Sequence, residues 1–238
     1  MQIVPRTLTA ACFGLLFSAC GGNGYNAAAP SSANFDLQTG IAKMVTNGLS
    51  ANVSLSGMVS VNGVSTTFTG SGTFTRAPAV NATFNGTAAS SQTTTVAGTI
   101  TTAGQTAPYS TSVTDYYASS DDAFLGEVSG SEYDVAQTPL IFPTMVVGGS
   151  SGILGTLSRY TNSSMSVSLG TAQVSYSVMA PVDPGSPIGV VVTTKIFDTQ
   201  NTLIETDVTN YTMTSSSVIA LSSASAQNQS GTLMVTAQ

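Results

Sequence analysis

A period-two alternation of apolar and polar residues begins near Ala51 and recurs through most of the chain. From Val53 to Val61 every second residue is apolar or glycine, and serines fill most positions between them. Asn62-Gly63 follows, a pair typical of the two-residue type I′ hairpin turn. Such a turn places Val61 opposite Val64 and Gly57 opposite Phe68, so that the apolar positions of both strands share one face. The pattern therefore predicts an antiparallel hairpin.

The same arrangement recurs 41 residues later, where Gly98 to Gly104 matches Gly57 to Gly63. With Ala103-Gly104 as the turn, Gly98 lies opposite Tyr109, as Gly57 lies opposite Phe68. An aromatic ring that covers a cross-strand glycine fills the space that the glycine leaves. We therefore expect neighbouring hairpins of one meander. Their shared buried face is predicted to hold Val59, Val61, Val64, Phe68, Ile100 and Tyr109.

Other segments complete a mostly β pattern. Leu37, Ile41, Met44 and Val45 have helical spacing, which favours one amphipathic helix over Phe35 to Leu49, with a strand as the alternative. The stretch 119–152 is less regular and predicts a crossing between two halves. Further strands are expected at 153–160, 174–179, 188–197, 202–213, 218–221 and 232–236.

These elements predict an all-β fold with about a dozen strands and one short N-terminal helix. The antiparallel meander would form a curved sheet, an open or closed barrel, or two packed sheets. We expect a single β domain over 35–238, with two halves meeting near 119–152.

The start of the chain has the features of an export signal. Met1 to Arg6 carries one positive charge, and an uncharged, largely apolar run extends from Thr7 to Phe17. The run is too short to span a bilayer, and small residues follow it, as at a signal-peptide cleavage site. Residues 1–19 are therefore predicted to be a signal peptide, and 20–34, rich in Gly, Ala, Ser and Asn, a flexible tether. An ordinary signal peptide with an incidental Cys20 is the alternative.

Phe17-Ser18-Ala19-Cys20 resembles the lipobox of bacterial lipoproteins, with Phe17 where that family usually has Leu. The resemblance implies that the Cys20 thiol receives a diacylglycerol, that cleavage occurs before Cys20, and that the new amino terminus is acylated. Gly21, where inner-membrane lipoproteins carry Asp, implies an outer-membrane destination. The chain as a whole resembles uncharacterised Ser/Thr-rich lipoproteins of Gram-negative bacteria, a resemblance that implies no activity.

Charge and residue usage exclude several functions. Apolar residues make up 42% of the chain and charged residues 7%, a balance unlike that of disordered proteins. Without Arg6, four basic residues face eleven acidic ones, and a net charge of −7 disfavours nucleic acid as a partner. The chain has no histidine, and its two cysteines are Cys12, in the signal, and Cys20. We therefore predict no cofactor beyond the acyl chains on Cys20, and no zinc, haem or thiol chemistry.

An acidic segment at 121–134 is the remaining candidate for a site. The first hypothesis is a Ca²⁺ site, because Ca²⁺ prefers carboxylate and carbonyl oxygens. The favoured interpretation is a solvated loop that maintains solubility. Two pairs, Glu127 with Glu132 and Glu205 with Asp207, have the residue types of glycosidase carboxylates, although the chain has no tryptophan to stack on a sugar. The segment comprises Asp121, Asp122, Glu127, Glu132 and Asp134.

The leading functional hypothesis is a lipid-anchored, non-catalytic binding or structural module of the cell envelope. It would be held to the membrane by its lipid, with an envelope protein or an apolar small molecule as its partner. The first alternative is a carrier, because a curved sheet with a helix across its mouth resembles the half-barrels that ferry lipids and lipoproteins. A carrier needs an empty apolar cavity of several hundred Å³ under the helix, whereas a structural module is filled by its own side chains. The second alternative is a carboxylate-dependent hydrolase.

Overall fold

The structure, a computed structural model, describes residues 34–183 and 185–238, with Val61 described by its backbone alone. The predicted signal peptide, Cys20 and all but the last residue of the predicted tether lie outside the described residues. The described part contains one helix and thirteen strands, and none of it forms a helix long and apolar enough to cross a membrane. The elements are α1 (Leu37–Asn47), β1 (Leu49–Val61), β2 (Val64–Arg76), β3 (Val80–Phe84), β4 (Thr87–Thr102), β5 (Gln105–Ala118), β6 (Phe124–Ser129), β7 (Glu132–Leu140), β8 (Ser151–Tyr160), β9 (Ser168–Met179), β10 (Ile188–Phe197), β11 (Leu203–Met213), β12 (Ile219–Asn228) and β13 (Gly231–Ala237).

The strands form a closed antiparallel barrel. From β4 to β13 each strand pairs with the next, β13 pairs with β1, β1 with β2, and β2 with β4. The last pairing closes a ring of twelve strands, while β3 lies outside the ring against the first part of β4. Closure leaves no unpaired edge within the ring. The predicted all-β fold is confirmed, and the sheet closes rather than dividing into two packed sheets.

The two predicted hairpins have the predicted registers. Asn62 and Gly63 have φ values of 51° and 77°, as a type I′ turn requires, and Gly57 faces Phe68 across the hairpin. In the second hairpin Gly98 faces Tyr109. A Cβ added to Gly57 would lie 2.6 Å from the Phe68 ring, so the ring occupies the space of the missing side chain.

The predicted burial of Val64 is wrong. Its side chain is 68% exposed, because the hairpin extends beyond the packed interior and Val64 is the first residue after the turn. Phe68, four residues further along β2, is 7% exposed and belongs to the core. Alternation therefore identifies the face that a side chain shares but not how far the core reaches along the strand.

The predicted irregular crossing at 119–152 is also wrong in its first part, since β6 and β7 run through it. Their pairing shifts register between Phe124 and Gly126, where the ladder has a bulge. A bulge inserts an extra residue and breaks the period of two while the strands continue to pair. The loop at 141–150 is irregular, and the glycine-rich residues at its end lead into strand β8.

Helix α1 lies across one mouth of the barrel. Asp36 caps it, with Oδ1 accepting a hydrogen bond from the Thr39 amide at 2.9 Å, and Gly48 follows its last residue with a φ of 73°. Before the helix, Phe35 pairs with Val146 of the β7–β8 loop. Along the helix, the Lys43 ammonium donates a hydrogen bond to the Ser216 carbonyl at 2.7 Å. The prediction of a helix rather than a strand is confirmed.

Because neighbouring strands are antiparallel, every second connection lies at the same end of the barrel. The loops 141–150, 180–187 and 214–218 lie with α1 at what we call the helix end. The tight turns at Asn62-Gly63 and Ala103-Gly104, and the turn at 198–202, lie at the opposite, hairpin end.

Apolar side chains fill much of the lumen. Inward positions of β1, β10 and β13, such as Val53, Val192 and Leu233, are almost fully buried. The buried face of α1 packs against the same cluster. The helix therefore contributes to the core, and its buried residues are Leu37, Gly40, Ile41, Met44 and Val45.

Candidate functional site

A row of polar side chains crosses the lumen on five neighbouring strands. Gln92 of β4 faces Asp115 of β5, which faces Glu127 of β6, then Asp134 of β7 and Arg159 of β8. Charged groups are rarely buried unless they are paired, so this row is the part of the core that needs an explanation. Together with nearby ionisable groups it forms what we call the charged layer, comprising Arg76, Asp115, Glu127, Glu132, Asp134, Arg159, Glu205 and Asp207.

Arg159 is the centre of one half of the charged layer. Its Nε donates to Asp134 Oδ2 at 3.0 Å and its Nη2 donates to Glu132 Oε2 at 2.6 Å. The Arg159 side chain is 5% exposed. Burial opposes its charge, but the carboxylates of Asp134 and Glu132 outweigh that effect and raise the pKa of Arg159. The Arg159 guanidinium, on β8, thus links β8 to the carboxylates of β7.

Arg76 organises the other half. Its guanidinium donates hydrogen bonds to the Asp115 carboxylate and to the Tyr117 hydroxyl, and the Tyr117 hydroxyl donates to Asp115 Oδ2 at 3.3 Å. Arg76 is 2% exposed and Asp115 5% exposed. Despite the guanidinium, burial raises the pKa of the Asp115 carboxyl. Burial likewise raises the pKa of the Tyr117 hydroxyl well above its ordinary value.

Gln92 connects this half to α1. Its Oε1 accepts a hydrogen bond from Arg76 Nε at 2.6 Å. Its Nε2 lies 2.9 Å from the Met44 carbonyl, 3.1 Å from the Val45 carbonyl and 2.9 Å from the Ala77 carbonyl. The last carbonyls of a helix have no partner within the helix, and here a buried amide supplies one. The charged layer therefore anchors the C-terminal end of the helix that closes the mouth.

The charged layer holds more carboxyl groups than cations, six against two arginines. Burial, followed by the nearby Asp134 and Asp115, raises the pKa of Glu127 well above its ordinary value. Burial and the neighbouring Glu205 likewise raise the pKa of Asp207 well above its ordinary value, and Asp207 shares a hydrogen bond with Glu205. Burial also raises the pKa of Asp134 to about 6. Glu127, Asp207 and Asp134 therefore retain protons at a pH where exposed carboxyls lose them.

The space beside the charged layer is small. A cavity of about 50 Å³ lies between α1 and the layer, and its walls include Met44, Arg76, Asp115, Glu127 and Tyr211. That volume admits a few water molecules but no sugar or lipid. It is far below the several hundred Å³ that a carrier would need under the helix. Carboxyls with raised pKa values are typical of general acids, but buried ion-pair networks raise them too, and this cavity has no room for an organic substrate.

The predicted acidic segment divides between two places. Glu127, Glu132 and Asp134 belong to the charged layer, so the interpretation of the segment as a solvated loop is wrong for these three. Their positions on β6 and β7 point them into the lumen, where Arg159 pairs with two of them. Asp121 and Asp122 lie on the turn between β5 and β6, where Asp121 Oδ1 accepts the Ala123 amide at 3.2 Å.

The five residues of the Ca²⁺ hypothesis therefore do not converge. Within residues 34–183 and 185–238, no three or more acidic side chains are arranged to hold a metal ion. The predicted lipidation site, Cys20, lies outside the described residues and stays a prediction.

Sequence reasoning missed Asp115 and both arginines of the charged layer, together with Gln92 and Tyr117 beside them, although a signal was present. Asp115 and Tyr117 have the same parity as the buried Val113, and Gln92 has the same parity as the buried Val96. A charged residue in phase with buried apolar neighbours indicates an inward position. Arg76 and Arg159 were also overlooked as sites, whereas Glu205 and Asp207 were considered only as a pair of glycosidase carboxylates.

A larger groove of about 730 Å³ lies along β11, β12, β13 and β1. Hydroxyl and amide side chains are the most numerous in its lining, but most of the accessible lining surface is apolar, and Glu205 is the one charged residue of the lining. Pockets of this volume are large enough for a small-molecule ligand. The lining includes Ser56, Leu203, Asn210, Ser225, Gln227 and Met234.

Comparison with known proteins yields little. No protein-family model matches the chain, and no curated protein matches it. Among solved structures, the chain is similar to the crystal structure of a DUF1329 family protein from Desulfovibrio piger ATCC 29098. The identity is 6%, the match covers 85% of this chain and 91% of that chain, and the TM-score is 0.25. A similarity at this level carries no functional argument.

Proposed function

We propose that the protein is a lipid-anchored, non-catalytic module of the bacterial outer membrane whose barrel is a filled scaffold that binds its partner on the outside. The observation that carries the proposal is the filled lumen. Its own apolar side chains, α1 and the charged layer leave about 50 Å³ beside the helix. A barrel that is packed in this way transports nothing through or within that space, so its surface is the part available for binding.

The filled lumen is tested with an environment-sensitive apolar dye. We expect the dye to find no binding site under the helix, so its fluorescence should be the same with the unsubstituted protein and with Met44→Trp. Saturable binding that is lost on substituting Met44→Trp, which would fill the cavity under the helix, would support the carrier instead. Val182→Trp is the matched control, because Val182 is exposed and does not line that cavity.

Membrane attachment depends on Cys20. The Ser-Ala-Cys ending after an apolar run supports acylation there. Each buried methylene of an acyl chain contributes about 0.8 kcal/mol to membrane affinity. Mass spectrometry of the mature N-terminal peptide should find acylated Cys20, and Cys20→Ser should abolish the modification. An unmodified peptide that begins at another residue would overturn the proposal.

The outer-membrane destination depends on Gly21, through the resemblance to Gram-negative lipoproteins. Separation of inner and outer membranes on a density gradient should place the protein in the outer-membrane fraction. Gly21→Asp should move it to the inner-membrane fraction, whereas Asn26→Asp, which adds the same charge further along the tether, should not. Retention of the unsubstituted protein at the inner membrane would contradict the assignment.

A second candidate function, the binding of an uncharged small molecule, is favoured by the groove along β11, β12, β13 and β1. Met234→Glu would place a charge within the groove and should abolish binding of an uncharged amphipathic probe. Ile153→Glu, on the outer side of β8 and outside the groove, is the control. Equal loss of binding in both variants would exclude the groove as the site.

A further inference from the structure

The helix end of the barrel carries a group of exposed apolar side chains on three consecutive loops and the strand that leads into one of them. Val182, in the β9–β10 loop, is 88% exposed. The β7–β8 loop contacts the β9–β10 loop directly, since a Cβ added to Gly148 would lie 2.6 Å from the Ala180 Cα. Large exposed apolar groups clustered at one place mark contact sites for a membrane or a protein. We call this group the apolar rim; it comprises Ile141, Met145, Val147, Met179, Val182 and Val218.

The apolar rim has little charge. The three loops at 141–150, 180–187 and 214–218 contain one ionisable residue, Asp183. Transfer of a charged side chain out of water is costly, so a surface with few charges is suited to contact with an apolar phase. Lys43 of α1 lies beside the 214–218 loop, where its ammonium could also meet lipid phosphates. Asp121 and Asp122, on the adjacent β5–β6 turn, mark the acidic border of the rim.

The described chain also begins at this end. Phe35 pairs with Val146, which lies between Met145 and Val147 of the apolar rim. Thirteen residues lie between the proposed lipid on Cys20 and Asn34, a connection that reaches at most about 50 Å when fully extended. The described chain therefore begins beside the apolar rim, and the proposed anchor lies within about 50 Å of it along the chain.

From the exposure, the low charge and the position of the chain start, we propose that the apolar rim rests on the lipid bilayer that holds the Cys20 anchor. The barrel would then stand with its helix end against the membrane and its hairpin end away from it. This inference rests on the proposed lipid anchor and adds an orientation to it. The groove along β11 to β1 would lie on the side of the standing barrel, open to a partner.

The test uses the full acylated chain in vesicles of phosphatidylethanolamine and phosphatidylglycerol. Because Cys20 is the single cysteine after the signal, Val182→Cys introduces one free thiol for an environment-sensitive dye. Val64→Cys at the hairpin end is the matched control, since Val64 is 68% exposed and equally apolar. We expect the dye at position 182 to be quenched by lipid-borne spin labels and protected several-fold from aqueous iodide. The dye at position 64 should show the opposite.

Three outcomes would overturn the inference, and one of them would also refute the proposed lipid anchor. If the dyes at both positions respond equally to iodide, the rim does not touch the bilayer. If position 182 is protected from iodide without quenching by spin-labelled lipid, a second copy of the chain covers the rim instead. If the protein fails to float with the vesicles at all, the lipid anchor is wrong, and the orientation is lost with it. Flotation with an iodide-accessible position 182 therefore refutes the orientation while leaving the anchor intact.

Discussion

The inward positions of the barrel differ between two walls. Along β9, β10, β13 and β1 they are mostly small and medium apolar residues, such as Val174, Val192 and Leu55, with Thr194 as a polar exception. Along β5 to β8 they include Asp115, Glu127, Glu132, Asp134 and Arg159. Both walls line the same lumen, although a bulge between Phe124 and Gly126 interrupts the alternation on the second wall.

The difference shows that alternation specifies a buried face without specifying what stabilises it. Truncating a buried apolar side chain lowers the free energy of unfolding in proportion to the buried apolar area that is lost. A charged position depends on its partner, because a buried charge that loses its counterion costs more than the pair contributed. The charged wall should therefore be the more sensitive to single substitutions, and the more sensitive to pH.

The largest expected effect comes from Arg159→Ala on the charged wall. It leaves Asp134 and Glu132 without their cation and should cost about 3–5 kcal/mol in the free energy of unfolding, measured by urea denaturation. Lys195→Ala removes a positive charge from an exposed position on β10 and should change stability by less than about 0.5 kcal/mol.

A paired substitution sharpens the same comparison. Arg159→Met combined with Asp134→Leu removes the cation and its most buried acid together, and it should be less destabilising than Arg159→Ala alone. If the double variant is the less stable of the two, the ion pair contributes net stability and the contrast between the walls fails.

On the apolar side, Phe68→Ala should cost about 3 kcal/mol, because it removes a buried ring and uncovers Gly57. Thr67→Ala, at the adjacent outward position of β2, is the control and should change stability little. Urea denaturation of both variants measures the difference. A smaller loss for Phe68→Ala than for Thr67→Ala would contradict the assignment of the inward face.

The hairpins were predictable because three local signals agree there. The turn pair Asn62-Gly63, the alternation on both strands and the glycine opposite Phe68 all require the same register, and the structure has it. The helix was predictable from the spacing of its apolar residues. The burial of Val64 was not, because the extent of the core beyond a turn depends on how the barrel closes.

Local parity indicates that Asp115 and Gln92 point inward, but the ion pairs of the charged layer could not be predicted from local signals. Glu127 and Asp134 become neighbours of Arg159 only through the pairing of β6, β7 and β8, and a bulge interrupts the alternation that would have revealed those strands. Low charge and frequent Ser and Thr made a solvated acidic loop the simpler interpretation. Gln92 contacts the C-terminal turn of α1, which lies more than forty residues earlier in the chain, so its role depends entirely on the tertiary fold.

The stability of the protein should also depend on pH. Burial raises the pKa of Asp134 from 3.8 to about 6, so its contribution is complete below its unfolded pKa and is lost as pH rises through about 6. Burial raises the pKa of Glu127 and Asp207 in the same direction. The protein should therefore be more stable near pH 5 than near pH 7.5, by about 1–3 kcal/mol.

Calorimetric melting at the two pH values measures this shift, and Asp134→Asn should reduce it. Asp36→Asn is the control, because Asp36 is a half-buried helix cap outside the charged layer whose pKa is lowered by its hydrogen bonds to Thr39. A melting temperature that rises from pH 5 to pH 7.5 would mean that the buried carboxyls are ionised and that the arginines compensate their charge. The charged wall would then be no more sensitive to rising pH than the apolar wall.

The smallest expected effect is that of calcium. Ligand binding to the native state raises the melting temperature by mass action, but the candidate Ca²⁺ ligands are divided between two places. Glu132 and Asp134 already pair with Arg159, while Asp121 and Asp122 lie on the β5–β6 turn. We therefore expect millimolar Ca²⁺ to leave the melting temperature unchanged, with Mg²⁺ as the control for ionic strength. A rise of several degrees with Ca²⁺ alone, abolished by Asp121→Asn with Asp122→Asn, would identify a cation site on the turn. Its abolition by Glu127→Gln instead would mean that the charged layer binds cations, and that its protons can be exchanged for a metal.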